Sequence, residues 1–245
     1  MLPIRDQNPT LRPPVGTYAL IGLNVAVWIL VQGMGSEPAL TRSVCTLGLI
    51  PADFLSHLVG TARGGLLEGP VCPVGGTSNP IAPLTSMFLH GSWLHLLGNM
   101  WFLHVFGNNV EDVMGRFRFV AFYLLAGLAA AATQMLAGPG SLIPMVGASG
   151  AIGGVMGSYV LLYPRVGVQT FVFLGFWARM IVLPAYLMLG YWFLIQLLTG
   201  TFSLSQGGGV AVWAHVGGFL CGLLLTPLFR NPRLLAAHRA VMGTA

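Results

Sequence analysis

Long apolar runs alternate with short polar or glycine- and proline-rich breaks along the whole chain. The runs are continuous, unlike the strands of a membrane barrel, which alternate residue by residue over about ten residues. Several approach or pass the roughly 20 residues a helix needs to cross a bilayer. The pattern predicts six helical spans, at about Gly16–Gly33, Ser86–Phe106, Phe117–Ala137, Ser149–Tyr163, Met180–Leu198 and Val210–Phe229. Residues 34–85 read as a long glycine- and proline-rich connection, whose apolar pieces Leu47–Ile50 and Phe54–Val59 suit a membrane surface. Pro164–Arg179 is bounded by arginines and reads as interfacial or part of a loop, and a turn carrying Glu111 and Asp112 is expected between the second and third spans. The predicted fold class is an all-α polytopic membrane protein, with a tail over 1–16, a membrane domain over 17–230 and a second tail over 231–245.

Composition supports this and adds an orientation. Hydrophobic residues make up 55% of the 245 and charged residues 7%, against about 25% charged in soluble domains. All eleven basic residues are arginines, set singly between apolar runs. The net charge of +5 therefore fits topology signals better than nucleic-acid binding. Nine arginines (5, 12, 116, 118, 165, 179, 230, 233 and 239) fall on the side of the two tails, and only Arg42 and Arg63 fall on the other. The positive-inside rule then puts both termini in the cytoplasm and the long first connection outside. The first apolar run starts near Tyr18, with no evident signal-peptide cleavage site after it.

The fourth span is short. Fifteen helical residues rise about 22 Å, less than a hydrocarbon core of roughly 30 Å. If its inner end reaches the interface, Ser149 lies below the outer surface and residues 138–148 dip into a protein-lined cavity, since irregular backbone cannot face lipid. Ser149 stands in a glycine-bracketed stretch, Pro144-Met-Val-Gly147-Ala148-Ser149-Gly150, where the first N–H groups of a helix would be free.

Polar groups inside a span point to function by default. His95 and Asn99 are four apart and share a helical face; they could equally be hydrogen-bonding glue between helices. His90 and His104 fall nearer the interfaces, where packing or loop anchoring suits them. His215 lies within a row of small residues, Ala214, Gly218 and Gly222, that matches rows in the fourth span, Gly150 with Gly154 and Gly153 with Gly157. Such rows let helices approach closely. If they meet, Ser149 and His215 come within reach, and His215 could take the hydroxyl proton that an unassisted serine holds. All six acids lie outside the predicted spans, so the chemistry would rest on a Ser–His pair. His95, Asn99 and the Ser149 backbone N–H are the candidate oxyanion donors. There is no H-E-x-x-H sequence, and neither a metal nor another cofactor is expected.

These motifs, in this order, resemble the rhomboid family of intramembrane serine proteases. The match runs through Gly48-Leu-Ile-Pro51, Leu84-Thr-Ser-Met-Phe-Leu-His90-Gly-Ser-Trp-Leu-His95-Leu-Leu-Gly-Asn99-Met100, Gly107 with Glu111 and Gly115, Gly147-Ala-Ser149-Gly150, Tyr163-Pro-Arg165, and Ala214-His215 with Gly217-Gly218. The resemblance implies a six-helix bundle with a short fourth helix, Ser149 as nucleophile and His215 as base. It also implies oxyanion support from His95 and Asn99, structural support from Gly147, Gly150, Glu111 and Gly218, and transmembrane proteins in the lipid bilayer as substrates. The glycine- and alanine-rich, lysine-free composition suggests a prokaryotic plasma membrane. There are two departures from the family pattern: Ile81-Ala82 replaces a frequent Trp-Arg, and Gly153 stands where a bulky residue commonly packs on the catalytic histidine. The other reading, from a different class, is a non-catalytic rhomboid-like protein that binds membrane clients. Cys45 and Cys72 share the outward connection and are either disulfide-bonded or free.

Overall fold

A computed structural model of the chain describes residues 1–60, 67–69, 71–74, 79–175, 177–203 and 211–242. Arg63, the glycine run 207–209 before the last span and that span's predicted start at Val210 lie outside the described residues. In chain order the elements are β1 (Leu2–Asp6), α1 (Val15–Leu30), α2 (Ala39–Leu47), α3 (Pro51–Leu58), β2 (Leu67–Glu68), β3 (Pro73–Val74), α4 (Ala82–Thr85), α5 (Trp93–Met114), α6 (Arg116–Ala137), α7 (Ser149–Leu162), β4 (Gly167–Leu174), β5 (Trp177–Pro184), α8 (Ala185–Ser203), α9 (Val212–Phe229) and α10 (Pro232–Met242). Two of these helices, α6 and α9, are long and apolar enough to cross a membrane; Val15–Leu30, Ser149–Leu162 and Ala185–Thr199 are apolar but shorter. The outer faces carry bare apolar side chains, among them Leu30, Phe117, Leu136, Leu224 and Leu228. Lipid accepts such a surface and water does not, so the protein is membrane-associated.

The bundle is organised around α7. Its residues from Gly150 to Tyr159 are all buried, and its small side chains let two neighbours come close. A Cβ at Gly218 or Gly222 of α9 would collide with the carbonyl groups of Gly150 or Gly154 of α7, and one at Gly157 with the Phe219 carbonyl. On the α6 side a Cβ at Gly150 would come within 2.6 Å of the Ala130 methyl. No side-chain layer separates α7 from α9. Larger residues fill the space below, where Phe106, Phe119, Phe122, Tyr123 and Tyr159 are fully buried.

Three differences from the sequence reading have physical causes. Helix α5 begins at Trp93 and runs to Met114, so Glu111 and Asp112 lie in its last turn and not in the expected turn. Both are buried, because backbone N–H groups of the N-terminal segment satisfy them. Glu111 accepts from Gly16 N (2.8 Å), Thr17 N (2.7 Å) and Thr17 Oγ1 (2.8 Å). Asp112 accepts from Leu11 N and Arg12 N and pairs with the Arg12 guanidinium at 3.4 Å. The break between α5 and α6 shrinks to Gly115, whose φ of 80° suits a residue without a Cβ.

Second, within the expected interfacial stretch and the expected start of the fifth span, β4 and β5 pair antiparallel, and β1 adds to them as a third strand. Val168, Thr170 and Val172 point inward and are buried, while Phe171 and Phe173 are exposed; this is the two-residue period of a strand. Pro184 ends β5, so α8 starts at Ala185. Third, residues expected as tails are structured: Leu2–Asp6 is β1 and Pro232–Met242 is α10. In the first connection, Cys45 and Cys72 form a disulfide.

Candidate active site

Ser149 is the first residue of α7, after Ala148 and Gly147. The approach to it is pinned twice. Met145 and Leu49 exchange backbone hydrogen bonds of 2.7 and 3.1 Å, and Gly147 N donates to Ser86 O at 2.9 Å. Gly147 has φ of 127°, and its missing Cβ would lie 2.8 Å from His95 Nε2 and 3.6 Å from Asn99 Nδ2. Only glycine lets this strand of backbone pass so close to the two side chains. The first α7 bond runs from Ile152 N to Ala148 O, which leaves the N–H groups of Ser149, Gly150 and Ala151 without helical acceptors.

His215 sits in the first turn of α9. Close contact between α7 and α9 brings its Nε2 to 2.8 Å from Ser149 Oγ. Its other nitrogen, Nδ1, lies 2.7 Å from Gln196 Oε1 of α8. The Trp192 ring, one turn earlier on α8, tilts against the imidazole with centroids 5.8 Å apart. Gly153 does not carry the bulky side chain common at that position, and a Cβ there would lie 3.0 Å from His215 O and 3.4 Å from Phe219 N. The neighbour of the imidazole is supplied by α8 instead.

Across a cavity of about 570 Å³, α5 presents His95 and Asn99 to the same space, and Phe102, Ile152 and Met156 give it apolar walls. Ser92 caps α5 by accepting from His95 N at 3.1 Å, which fixes His95 in the first turn. Gly91 N donates to His95 Nδ1 at 3.4 Å, so Nε2 carries the ring proton. The Asn99 Nδ2 amide is buried and has no hydrogen-bond partner. A buried donor left open is costly unless something binds it. A serine hydroxyl, a base and unspent donors thus converge on one concave space, the arrangement acyl transfer needs.

The remaining predicted positions are placed as follows. Gly150 and Gly218 lie where α7 and α9 touch. Glu111 is not among the residues lining the cavity; it holds the start of α1. His90 is buried, and its backbone is clamped by the Gln32 amide through two bonds of 2.8 Å. His104 stacks on Tyr18 at 6.0 Å. Among the described residues, no group of three or more His, Cys, Asp and Glu side chains gathers as a metal site. Gln196 and Trp192 are absent from the sequence-derived site, although a polar residue in the apolar run of α8, one turn after a tryptophan, was a usable signal.

Comparison with known proteins agrees with this architecture. The family description "Rhomboid domain" matches residues 79–232, well over half of the chain and every residue named above as lining the cavity. The chain belongs to the rhomboid family. This rhomboid is 27% identical over 214 residues to rhomboid protein 1, mitochondrial, of Saccharomyces cerevisiae, covering 84% of the chain and 51% of that protein. It is 38% identical over 79 residues to rhomboid-like protein 11, chloroplastic, of Arabidopsis thaliana, covering 32% and 28% respectively. It is 33% identical over 97 residues to the mouse presenilin-associated rhomboid-like protein, mitochondrial, covering 36% and 26%. The rhomboid chain spans about half the length of the yeast relative and less of the others.

Proposed function

We propose that the chain is an intramembrane serine endopeptidase that cleaves peptide bonds in or near transmembrane segments of other membrane proteins. The observation that carries this reading is the 2.8 Å contact between His215 Nε2 and Ser149 Oγ inside a cavity with unspent hydrogen-bond donors. Family membership agrees with it. In the reaction, Ser149 Oγ forms a bond to the scissile carbonyl carbon as its proton passes to His215 Nε2. The carbonyl π pair moves to oxygen, and the Asn99 amide, the His95 Nε2–H and the Ser149 N–H are the donors offered to that oxyanion. His215 then gives its proton to the departing amine as the C–N bond breaks. Water repeats the sequence on the acyl-enzyme.

In this reading α1, α5, α6, α7, α8 and α9 cross the bilayer as a six-helix bundle. The 14 residues of α7 rise only about 21 Å against a core of roughly 30 Å, which supports a Ser149 recessed below the outer surface. The arginine distribution supports cytoplasmic termini, and the glycine- and alanine-rich, lysine-free composition supports a prokaryotic plasma membrane. The Cys45–Cys72 disulfide agrees, since it suits an outward, oxidising face. Purified full-length protein mixed with a membrane-spanning reporter should cut it, and Ser149→Ala and His215→Ala should each abolish cutting while melting like the wild type. Undiminished cleavage by either variant would falsify the dyad, whereas no cleavage by the wild type would leave the client-binding reading.

A further inference from the structure

We infer that Gln196 is a positioning residue for His215, selecting the imidazole tautomer that can take the Ser149 proton. The inference rests on the Ser149–His215 reading above and extends it to a side chain from a third helix.

A neutral imidazole carries one ring proton, on either nitrogen. Only the form with the proton on Nδ1 leaves an Nε2 lone pair for the serine. The form with the proton on Nε2 would offer Ser149 a donor where it needs an acceptor. Gln196 Oε1, a carbonyl oxygen that can only accept, lies 2.7 Å from Nδ1 and so holds the proton there. On the other side Nε2 stands 2.8 Å from Ser149 Oγ. The three groups form one chain, Gln196 Oε1 to His215 to Ser149 Oγ. During transfer the Oγ proton moves to Nε2, the Nδ1 proton stays on its nitrogen, and Gln196 exchanges none.

The groups facing His215 make this assignment specific. They are Ser149 from α7, Gln196 and Trp192 from α8, and His95 from α5 across the cavity. Among the described residues none of these is a carboxylate. Gly153 offers no side chain to hold the ring, so the task falls to α8, which places Trp192 on the imidazole and Gln196 on its nitrogen at a four-residue spacing. An amide orients the ring as the carboxylate of a triad does, but without a full negative charge to stabilise the imidazolium.

The test uses the full chain in detergent or vesicles, with Gln196→Leu and Gln196→Glu beside the wild type. Gln196→Leu should lower kcat about 10- to 100-fold, a fraction of the roughly 10⁴-fold seen when a wrong tautomer is imposed in a full triad, with KM within about twofold. Gln196→Glu should recover most of kcat and move the acidic limb of the pH–rate profile upward, because a carboxylate favours the charged ring. A purely structural role would not move that limb. A readout independent of cleavage is ¹⁵N NMR of labelled histidine, with His215 assigned by difference from His215→Gln. It should give a protonated Nδ1 and bare Nε2 in the wild type, and a mixture in Gln196→Leu. Wild-type kcat and pH profile in Gln196→Leu, or an unchanged tautomer, overturn the role of Gln196 alone. Cleavage that persists in Ser149→Ala overturns the reading beneath it as well.

Discussion

Glu111 offers the sharpest test of how the bundle is held, because helix α1 has no cap of its own. Its N-cap is Pro14 and no local side chain accepts from its first turn. Glu111 reaches from α5 to do so, taking three hydrogen bonds of 2.7–2.8 Å from Gly16 and Thr17. Its charge also faces the positive end of the helix dipole. Hydrogen bonds to a charged group are worth about 1.5–3 kcal/mol each, and orphaned donors left behind are penalised further. The three bonds share one carboxylate, so the sum is less than additive. Glu111→Ala should therefore destabilise the protein by about 3–5 kcal/mol, less than three such bonds summed. At about 2–4 °C per kcal/mol for a chain of this size, the melting temperature in detergent should fall by roughly 6–20 °C. Glu111→Gln keeps the shape and one acceptor oxygen and should lie between the two. A shift within about 1 °C for Glu111→Ala would refute the capping argument.

Two further outcomes follow from the packing and the charges. Gly218→Ala pushes a methyl into the Gly150 carbonyl. Because that obstacle is backbone, the loss should reach or exceed the roughly 1–3 kcal/mol of ordinary overpacking, and reporter cleavage should drop with it. Gly190→Ala, where nothing lies within 4 Å, is the control and should melt no lower than the wild type. Asp6 in β1 is pushed by burial from 3.8 to about 6, against the pull of the Tyr159 hydrogen bond. Its folded form favours the neutral acid, so its stabilising contribution is full below pH 3.8 and fades as pH rises through about 6. Asp6→Asn should then gain on the wild type at pH 8 by on the order of 1–3 kcal/mol and lose that advantage near pH 4; an equal difference at both pH values contradicts the argument.

The helices were legible because their apolar runs are long and continuous, and Ser149 stood out because Gly147 and Gly150 bracket it. The matched rows of small residues on α7 and α9 also read directly from spacing. The strand pair was hidden, since Phe171 and Phe173 are as apolar as the inward Val168 and Val172 and so mask the two-residue period. Glu111 and Asp112 looked like turn residues because their partners, the N–H groups of residues 11–17, lie about a hundred positions away. Local pattern cannot see a contact of that range. Gln196 was visible as a lone polar residue in an apolar run, but its meaning depends on His215, which belongs to another helix.

The backbone contact between α7 and α9 has a mechanical consequence. Packed helices usually adjust to each other through rotamer changes in the side chains between them. At Gly150–Gly218 and Gly154–Gly222 no side chain is available to yield. The arm that sets the distance from Ser149 to His215 is therefore stiff, whatever the thickness of the surrounding bilayer. Helix α8 meets α9 through long rings instead, Phe193 on Phe219 at 4.6 Å and Trp192 on Phe219 at 6.2 Å, and these can slide. One pair of side chains is thus gripped between a rigid jaw and a compliant one.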